Sequence, residues 1–309
     1  VLRHESVAIP TVGPDEVRIR VKAAGLNRGD ALAVEGIPYA ARLSYGMTRP
    51  KHPIPGSDIA GVVEAAGSAV TKFQPGSEVF GWSDGAFAEY ATTSEHMLAE
   101  KPERLTFEQA ASTPSAGVAA LQGLRDVGRV ERGHEVLVVG ASGGLGTFAV
   151  QIAKALGAVV TGVSGTSGIQ LVRSTGADHV IDYHTEDFTS HPGRYDVILD
   201  LVGSHTLASA RRAVRDGGTY VVVAGGNPRS LTGTSRFAHA VLASPFGPQT
   251  IRPLFSKKNG DDLAQLRALL DAGDVVPVID SVRDLADAPE ALRYINAGHA
   301  RGKVVLAIS

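Results

Sequence analysis

The sequence contains no cysteine among its 309 residues. Disulfides, thiol nucleophiles and every zinc site built on cysteine are therefore excluded. Charged residues make up only 20% of the chain and the formal net charge is -2, so nothing indicates a nucleic-acid partner. The missing cysteines agree with a reducing compartment, and we expect a cytoplasmic protein.

Long hydrophobic runs are also few. Residues 136–153 carry no charge, and a run of this length reaches across a bilayer. Glycines interrupt it, however, so we predict a strand, a turn and a helix there and no membrane span. No secretory hydrophobic segment opens the chain.

Residues 1–112 are rich in strand patterns. The segment "EVRIRVKAAGLN" (16–27) alternates charged and apolar residues as a half-buried strand does. "DIAGVVEAAG", "SEVFGW" and "GAFAEYATT" follow, separated by glycine and proline turn signals. Because sustained helical periodicity is lacking, we predict a barrel-like domain of short strands.

From about Thr113 strands and helices alternate. A helix is predicted to end at Gly128, and further helices are predicted at 146–156, at about 168–175 and over "TLASARRAV". The strands between them are nearly continuous apolar runs, which indicates a parallel sheet covered on both faces. About five such units predict a doubly wound α/β domain. Beyond Gly226 the pattern weakens to "QTIRPLFS", an amphipathic helix in "DDLAQLRALLDAG" and a last strand in "GKVVLAI".

The turn "GASGGLG" (140–146) fits two motifs. Gly140, Ser142 and Gly144 match the G-x-S-x-G nucleophile elbow of serine hydrolases, with Asp196 or Asp200 and His239 or His299 as later partners. Ala141, Gly143 and Gly146 match a dinucleotide fingerprint whose first glycine is alanine. The second match is favoured because the turn follows the first strand of the parallel series. The predicted pyrophosphate-binding residues are Ser142, Gly143, Gly144, Leu145 and Gly146.

The second strand of this series ends in the hydroxyl-rich loop "SGTS" (164–167). An acid about 20 residues after the glycine turn would bind the ribose 2′-hydroxyl of NAD, and no Asp or Glu occurs from 136 to 177. Ser164, Thr166 and Ser167 are able to donate hydrogen bonds to a 2′-phosphate, although the loop holds no Lys or Arg. We therefore expect NADPH to be favoured over NADH; a polar loop without any preference is the alternative.

With these segments in place the whole chain resembles the zinc-independent quinone oxidoreductases of the medium-chain dehydrogenase/reductase family, the branch related to zeta-crystallin. The motifs that carry the resemblance occur in this order: "GLNRGD", "PIPGSDIAGVVEAAGSAVTKFQPGSEVFG", "GASGGLGTFAVQIAKALGA", "LVRSTGADHVIDYHTEDF" and "HARGKVVLAI". The resemblance implies a GroES-like catalytic domain (1–112 plus 259–309) into which a Rossmann domain (113–258) is inserted, with the active site in the cleft. It also implies one further strand before Val1 and a homodimer formed through a Rossmann edge strand, for which "QTIRPLFS" is the candidate.

The resemblance assigns site residues position by position. Asn27 matches an asparagine beside nicotinamide and substrate, although an asparagine also suits a turn after a strand. Tyr183 matches a tyrosine near the adenosine 2′-phosphate, and it equally suits a packing role. The nicotinamide half of the cofactor is expected at the ends of the fourth and fifth Rossmann strands, at Val202, Gly203, Ala224 and Gly225.

Several family positions are changed. Where the family often has a basic residue for the 2′-phosphate, this chain has Ser167 or Gly168, depending on the alignment. Ala119 stands where a hydroxyl often faces the nicotinamide, and Leu32 stands where the family has a tyrosine. Tyr39 and Tyr45 lie near by in the sequence; we take Tyr39, with Asn27, as a candidate catalytic residue, and solvent is the alternative proton source.

The zinc-using members of the superfamily bind metal through two cysteines and the histidine of a Gly-His-Glu motif. Here the motif is Gly56-Ser57-Asp58 and the cysteines are missing, so no zinc or other metal is expected. Without a Lewis acid, hydride addition to a quinone or an α,β-unsaturated carbonyl is favoured, because the charge delocalises into an enolate. The expected function is thus NADPH-dependent reduction of such substrates. The alternatives are a cofactor-binding sensor or interaction protein, motivated by Ala119, and a serine hydrolase with Ser142.

Overall fold

The computed structural model describes residues 2–39, 42–47, 50–223, 235–244 and 247–309. Its strands are β1 (Glu16–Gly25), β2 (Asp58–Ala66), β3 (Glu78–Trp82), β4 (Tyr90–Ser94), β5 (Leu98–Glu100), β6 (Glu135–Val139), β7 (Val159–Ser164), β8 (His179–Asp182), β9 (Tyr195–Asp200), β10 (Val214–Val222), β11 (Thr250–Pro253), β12 (Ile279–Asp284) and β13 (Lys303–Ala307). Its α-helices are α1 (Arg28–Glu35), α2 (Arg42–Tyr45), α3 (Phe107–Ala111), α4 (Pro114–Gln122), α5 (Gly146–Ala155), α6 (Ile169–Ser174), α7 (Leu207–Arg211), α8 (Ser235–Ala243), α9 (Gly260–Ala272) and α10 (Ala288–Asn296).

The chain divides into two compact units. The first unit comprises residues 1–118, 258–272 and 277–309, and the second comprises 119–257 and 273–276. The division between the two units falls after residue 118, inside α4, because the start of α4 bonds within the first unit, where the Ser115 N–H donates to Asp58 at 3.1 Å. The domain boundary expected between 112 and 113 stays a prediction. Residues 273–276 group with the second unit because the Val276 N–H donates to the Gln151 side chain at 2.8 Å.

The first unit is built on a seven-stranded sheet in the order β12-β13-β1-β2-β3-β5, with β4 paired to β1. Strand β1 is its centre and runs antiparallel to β2, β4 and β13. Val17, Ile19 and Val21 are buried, and the arginines between them point to the other face, as a period of two requires. This sheet confirms the expected strand-rich domain.

The first unit also contains helices that the sequence pattern did not predict. Helix α1 has only one buried residue, Ala31, and it includes Gly29, so its apolar periodicity is too weak to detect. Helix α10 and strand β12 were likewise not predicted; α10 packs Ala288, Ala291 and Leu292 into the same core as β1.

The second unit is a six-stranded sheet in the order β11-β10-β9-β6-β7-β8, and every pair in it is parallel. This is the doubly wound arrangement expected from the alternating pattern. The core of β6, Val136 to Val139, is at most 4% exposed because both faces of the sheet are covered. The strand order reverses between β6 and β9, and ligands of such sheets bind where the strands on either side of this point end.

One helix of the second unit is shorter than expected. The helix predicted over "TLASARRAV" ends at Arg211, and β10 already begins at Val214. The Ala213 carbonyl accepts hydrogen bonds from the N–H groups of Arg194 and Tyr195, so the chain joins β9 in the sheet before the helical pattern ends. The uncharged run at 136–153 forms β6, the glycine turn and α5, and no helix in the described part of the chain is long and apolar enough to cross a membrane.

Candidate active site

The turn after β6 is tightly folded and is bonded to the neighbouring strand β7. Gly140 has a φ of 85°, in the left-handed region that favours glycine, and its N–H donates to the Val163 carbonyl at 3.0 Å. A Cβ on Gly146 would lie 2.2 Å from the Gly140 carbonyl oxygen. Only glycine at 146 therefore allows α5 to start this close to β6.

The same turn is open at the start of α5. Leu145 is the N-cap residue and no side chain caps the helix, so its first N–H groups have no partner within the helix. A Cβ on Gly143 would meet only the Gly140 carbonyl, at 3.4 Å, and residues 142–145 are partly exposed. Unblocked N–H groups at the positive end of a helix dipole fit the pyrophosphate of a dinucleotide.

The loop after β7 offers fewer free hydroxyls than expected. Ser164 is buried and its hydroxyl donates to the Gly165 carbonyl at 3.1 Å, while the Thr166 hydroxyl donates to Asp182 at 2.6 Å. A Cβ on Gly168 would lie 2.8 Å from Oγ of Ser142. The glycine turn thus leaves no room for a basic side chain at 168.

Asp182, an acid bonded to this loop, was not predicted from the sequence because it comes from the next strand. Asp182 ends β8, beside the end of β7, and it also accepts the His184 N–H at 3.0 Å. The Thr166 hydroxyl and the His184 N–H hold the pKa of the Asp182 carboxyl below its ordinary value. Tyr183 follows and is 59% exposed, with its hydroxyl against Gly165. The signal that could have found Asp182 is that neighbouring parallel strands end at one edge of the sheet.

At the end of β9, Asp200 shapes the expected nicotinamide loop. One oxygen of its buried carboxylate accepts the N–H groups of Val202 and Gly203 at 3.0 and 2.8 Å. The other oxygen accepts the Tyr220 hydroxyl and Arg236, the latter at 2.9 Å. A Cβ on Gly140 would lie 2.7 Å from the Val202 side chain, so this loop lies against the glycine turn. The expected residues Ala224 and Gly225 lie outside the described residues.

In the first unit, Asn27 belongs to a polar cluster. Its Nδ2 donates to Asp58 at 2.9 Å, its Oδ1 accepts from the Lys303 ammonium at 2.5 Å, and its backbone N–H donates to Asp30 at 2.8 Å. Ser115 donates both its hydroxyl and its N–H to Asp58. The sequence placed Asn27 and Asp30 in one motif, but nothing in it indicated that Lys303 and Asp58 join them.

Burial and charge perturb this cluster. Burial raises the pKa of the Asp30 carboxyl to about 7, and the neighbouring Asp58 carboxylate adds to the rise. Complete burial lowers the pKa of the Lys303 ammonium, which the Asp58 and Asp30 carboxylates partly offset. The buried charges are therefore balanced when Asp30 is protonated.

The other expected residues of the substrate region have weaker support. Tyr39 is 49% exposed, with the guanidinium of Arg42 5.1 Å from the centre of its ring. The side chain of Tyr45 lies outside the described residues. Ala119 is buried in α4 and carries no hydroxyl, as the sequence already shows.

The arrangement does not support a hydrolase triad on Ser142. Asp196 pairs with Arg215 at 2.8 Å and with the Glu135 N–H, and Asp200 is occupied by the bonds given above. Both acids thus have partners other than a histidine, whereas a triad requires an acid that orients one. The Ser142 side chain instead lies against Gly168.

Metal ligands are not gathered in the part of the chain that the structure describes. No group of three or more His, Asp or Glu side chains is close enough there to hold an ion. At the Gly56-Ser57-Asp58 position, the Ser57 hydroxyl donates to the Asp58 carboxylate at 3.3 Å.

Comparison with known proteins agrees with this geometry. Residues 13–103 match the alcohol dehydrogenase GroES-like domain, and residues 175–306 match the zinc-binding dehydrogenase model. The mitochondrial NAD(P)H oxidoreductase RTN4IP1 of Mus musculus is 34% identical over 95% of this chain and 82% of its own length. The chain belongs to the medium-chain dehydrogenase/reductase family, in its quinone oxidoreductase branch.

Two further members of this family are close in sequence or structure. The chloroplastic NADPH-dependent alkenal/one oxidoreductase of Arabidopsis thaliana is 33% identical over 99% of this chain and 76% of its own length. The solved quinone oxidoreductase of Coxiella burnetii superposes with a TM-score of 0.86 at 27% identity, over 98% of this chain and 93% of that one. The expected fold, a GroES-like domain with an inserted Rossmann sheet, is thereby confirmed, and the family is one of oxidoreductases.

Proposed function

We propose that this protein reduces quinones or α,β-unsaturated carbonyls with NADPH and without a metal. The observation that carries the proposal is the uncapped start of α5 behind a glycine turn, at the reversal point of the parallel sheet. The bound nicotinamide would supply the hydride. The relatives named above, an alkenal/one oxidoreductase and a quinone oxidoreductase, support the substrate class.

The second unit would hold the cofactor along the ends of its strands. Residues 142–146 would bind the pyrophosphate through their N–H groups other than that of Gly143, which already donates to the Gly140 carbonyl at 3.1 Å. The loop that Asp200 shapes at Val202 and Gly203 would face the nicotinamide half. We assign Ala224 and Gly225 to the same half because they follow β10. At the other end we assign Ser164, Thr166, Ser167 and Tyr183 to the adenosine ribose and its 2′-phosphate.

Asn27 is the residue we assign to the reacting substrate. Its amide is bound by an ammonium on one side and a carboxylate on the other, so it presents a fixed dipole. Tyr39 is our second candidate; its exposed ring suits a lining role, and solvent can deliver the proton that follows the hydride. The protein would contribute orientation and a fixed hydrogen bond to the developing enolate oxygen.

Metal-free chemistry is proposed from the residues themselves. The chain has no cysteine, and a serine occupies the place of the ligand histidine. A quinone or an enone accepts hydride at an electron-poor carbon, and the negative charge spreads to its oxygen. Such an acceptor needs less electrophilic assistance than a simple ketone does.

NADPH is the proposed reductant, with a limited margin over NADH. Exposed Tyr183 above Gly165 and the absence of an acid in residues 136–177 favour a 2′-phosphate. The Asp182 carboxylate, 2.6 Å from the Thr166 hydroxyl, opposes it by charge repulsion. We also propose a homodimer formed through β11, an edge strand of its sheet, and a cytoplasmic location; sedimentation velocity and cell fractionation would test these.

The decisive experiment is oxidation of NADPH and of NADH across a panel of quinones and enones, with binding of each nucleotide followed by its fluorescence. We expect turnover with both substrate classes and tighter binding of NADPH. Binding without turnover on any substrate would instead support a cofactor-binding sensor or interaction protein, the role that Ala119 suggests. Failure to bind either nucleotide would contradict the assignment of the glycine turn.

A further inference from the structure

Both atoms of the Asn27 amide are bound by side chains that carry opposite charge. Oδ1 accepts from the Lys303 ammonium at 2.5 Å, and Nδ2 donates to the Asp58 carboxylate at 2.9 Å. An ammonium has only donors and an ionised carboxylate only acceptors. A flipped amide would place its NH₂ against the ammonium and its oxygen against the carboxylate, so one orientation is fixed.

The groups that impose this orientation are themselves held in place. Asp58 is 0% exposed, and it accepts the Ser115 hydroxyl, whose oxygen in turn accepts the Trp82 indole N–H at 3.2 Å. Lys303 is 4% exposed, and its ammonium also donates to the Leu26 carbonyl at 2.9 Å. Burial of a cation is strongly unfavourable unless polar partners compensate it, so packing alone does not account for a lysine at this position.

We propose that Lys303 is a positioning residue for Asn27, acting with Asp58 to aim one N–H of the amide at the substrate. The proposal rests on the proposed function, in which Asn27 contacts the substrate. Of the two N–H bonds on Nδ2, Asp58 accepts one. The other donates to the carbonyl or quinone oxygen on which negative charge develops as hydride arrives.

The charged groups around the amide are Asp58, Lys303 and Asp30. The positive charge of Lys258 also acts on Asp30 and lowers the pKa of its carboxyl. Lys303 is the one among them that contacts Oδ1 of Asn27. Its replacement by methionine keeps the bulk and removes the donor. The amide oxygen then loses its charged donor and only the Asp58 carboxylate still opposes a flip, so the N–H is held toward the substrate less firmly.

Kinetics of a double-mutant cycle test this. We expect Lys303→Met to lower kcat at least about 10-fold, the loss typical of a charge-assisted hydrogen bond, while the Kd for NADPH stays within about twofold. The double variant Asn27→Ala/Lys303→Met should be no slower than Asn27→Ala alone. Losses that multiply in the double variant would show that Lys303 acts independently of Asn27 and would overturn the proposal.

A spectroscopic signature separates this proposal from the proposed function. The chain has four asparagines, so selective ¹⁵N-asparagine labelling gives four side-chain amide pairs, and Asn27→Ala assigns the relevant one. In the parent protein we expect two widely split, slowly exchanging Nδ2 protons, and in Lys303→Met a reduced splitting and faster exchange. An averaged, rapidly exchanging pair in the parent protein would refute positioning. If instead Asn27→Ala leaves kcat unchanged while the signature is as expected, the assignment of Asn27 to the substrate fails. The fixed orientation of its amide between Lys303 and Asp58 would then still hold.

Lys303→Met leaves the Asp58 carboxylate without its cation and can lower stability. The variant Asp58→Asn/Lys303→Met replaces both charged groups by neutral groups of similar size. We expect it to fold and to show the same loss of Asn27 orientation in the amide spectrum. A fixed Asn27 amide in this variant would overturn the role of the two charges.

Discussion

Replacement of Asp30 by asparagine should flatten the pH dependence of the first unit's stability. The pKa of this half-buried carboxyl rises from 3.8 to about 7, because burial and the Asp58 carboxylate disfavour its charge. The folded protein therefore holds a proton that the unfolded chain has released between these two values. The contribution of Asp30 to stability is therefore greatest below pH 3.8, falls as the pH rises to about 7, and is constant above that.

The magnitude follows from the size of the shift. One pKa unit is worth about 1.4 kcal/mol, so the full shift of about three units sets an upper bound of about 4 kcal/mol. Because the carboxyl is partly in contact with solvent, we expect less than this bound. Its titration should change the free energy of unfolding by about 2 kcal/mol between pH 5 and pH 8. Asp30→Asn removes that dependence and keeps an acceptor for the Asn27 N–H.

The assay uses the only tryptophan, Trp82, which is buried in the first unit, so its fluorescence during urea unfolding reports on that unit. We expect the difference in free energy of unfolding, Asp30→Asn minus parent, to increase by about 2 kcal/mol from pH 5 to pH 8. Asp30→Ala is the control: it should show the same slope, offset by about 1 kcal/mol for the lost cap acceptor. Equal slopes in the parent protein and Asp30→Asn would refute the reasoning.

Three further predictions, which use five substitutions, concern the second unit. Gly146→Ala should lower the free energy of unfolding of this unit by at least about 2 kcal/mol in urea, because the new methyl group meets the Gly140 carbonyl oxygen. Gly143→Ala should keep the stability and weaken NADPH binding, followed by nucleotide fluorescence, about 10-fold. Asp182→Asn should raise the NADPH-to-NADH affinity ratio about fivefold; an unchanged ratio would show that this carboxylate does not face the 2′-position. Arg236→Met should lower the free energy of unfolding by about 3 kcal/mol, because it leaves the buried Asp200 carboxylate without its cation. Arg215→Met breaks the half-exposed pair with Asp196 and should lower it by less than about 1 kcal/mol; calorimetric unfolding of both variants would measure the difference.

Local patterns made the second unit predictable. The apolar run of β6, the glycines after it and the helical period of α5 lie within about twenty consecutive residues, and each supports the same strand-turn-helix interpretation. The parallel sheet follows because such units repeat along the chain. The end of α7 was misplaced, because pairing with β9 prevailed over the helical pattern there.

The site was less predictable because its partners come from separate strands or distant parts of the chain. Asp182 reaches Thr166 only through the pairing of β7 with β8. Lys303 reaches Asn27 only because β13 pairs with β1. No spacing rule within one sequence connects such residues, so the cluster around Asn27 is recognised only once the pairing of the strands is known.

The pairing of β1 with β13 has a consequence for the order in which the chain folds during synthesis. Ala23 lies opposite Ala307, Ala24 opposite Leu306 and Gly25 opposite Val305. Strands β1 to β5 of the first unit leave the ribosome before the second unit does, yet the sheet of the first unit closes only after residue 307 has emerged. Strands β6 to β11 are complete well before that, so the inserted unit can fold first while β1 waits with an unpaired edge. In nascent chains stalled before β13, the second unit should therefore resist proteolysis, whereas the first unit should remain accessible to chaperones.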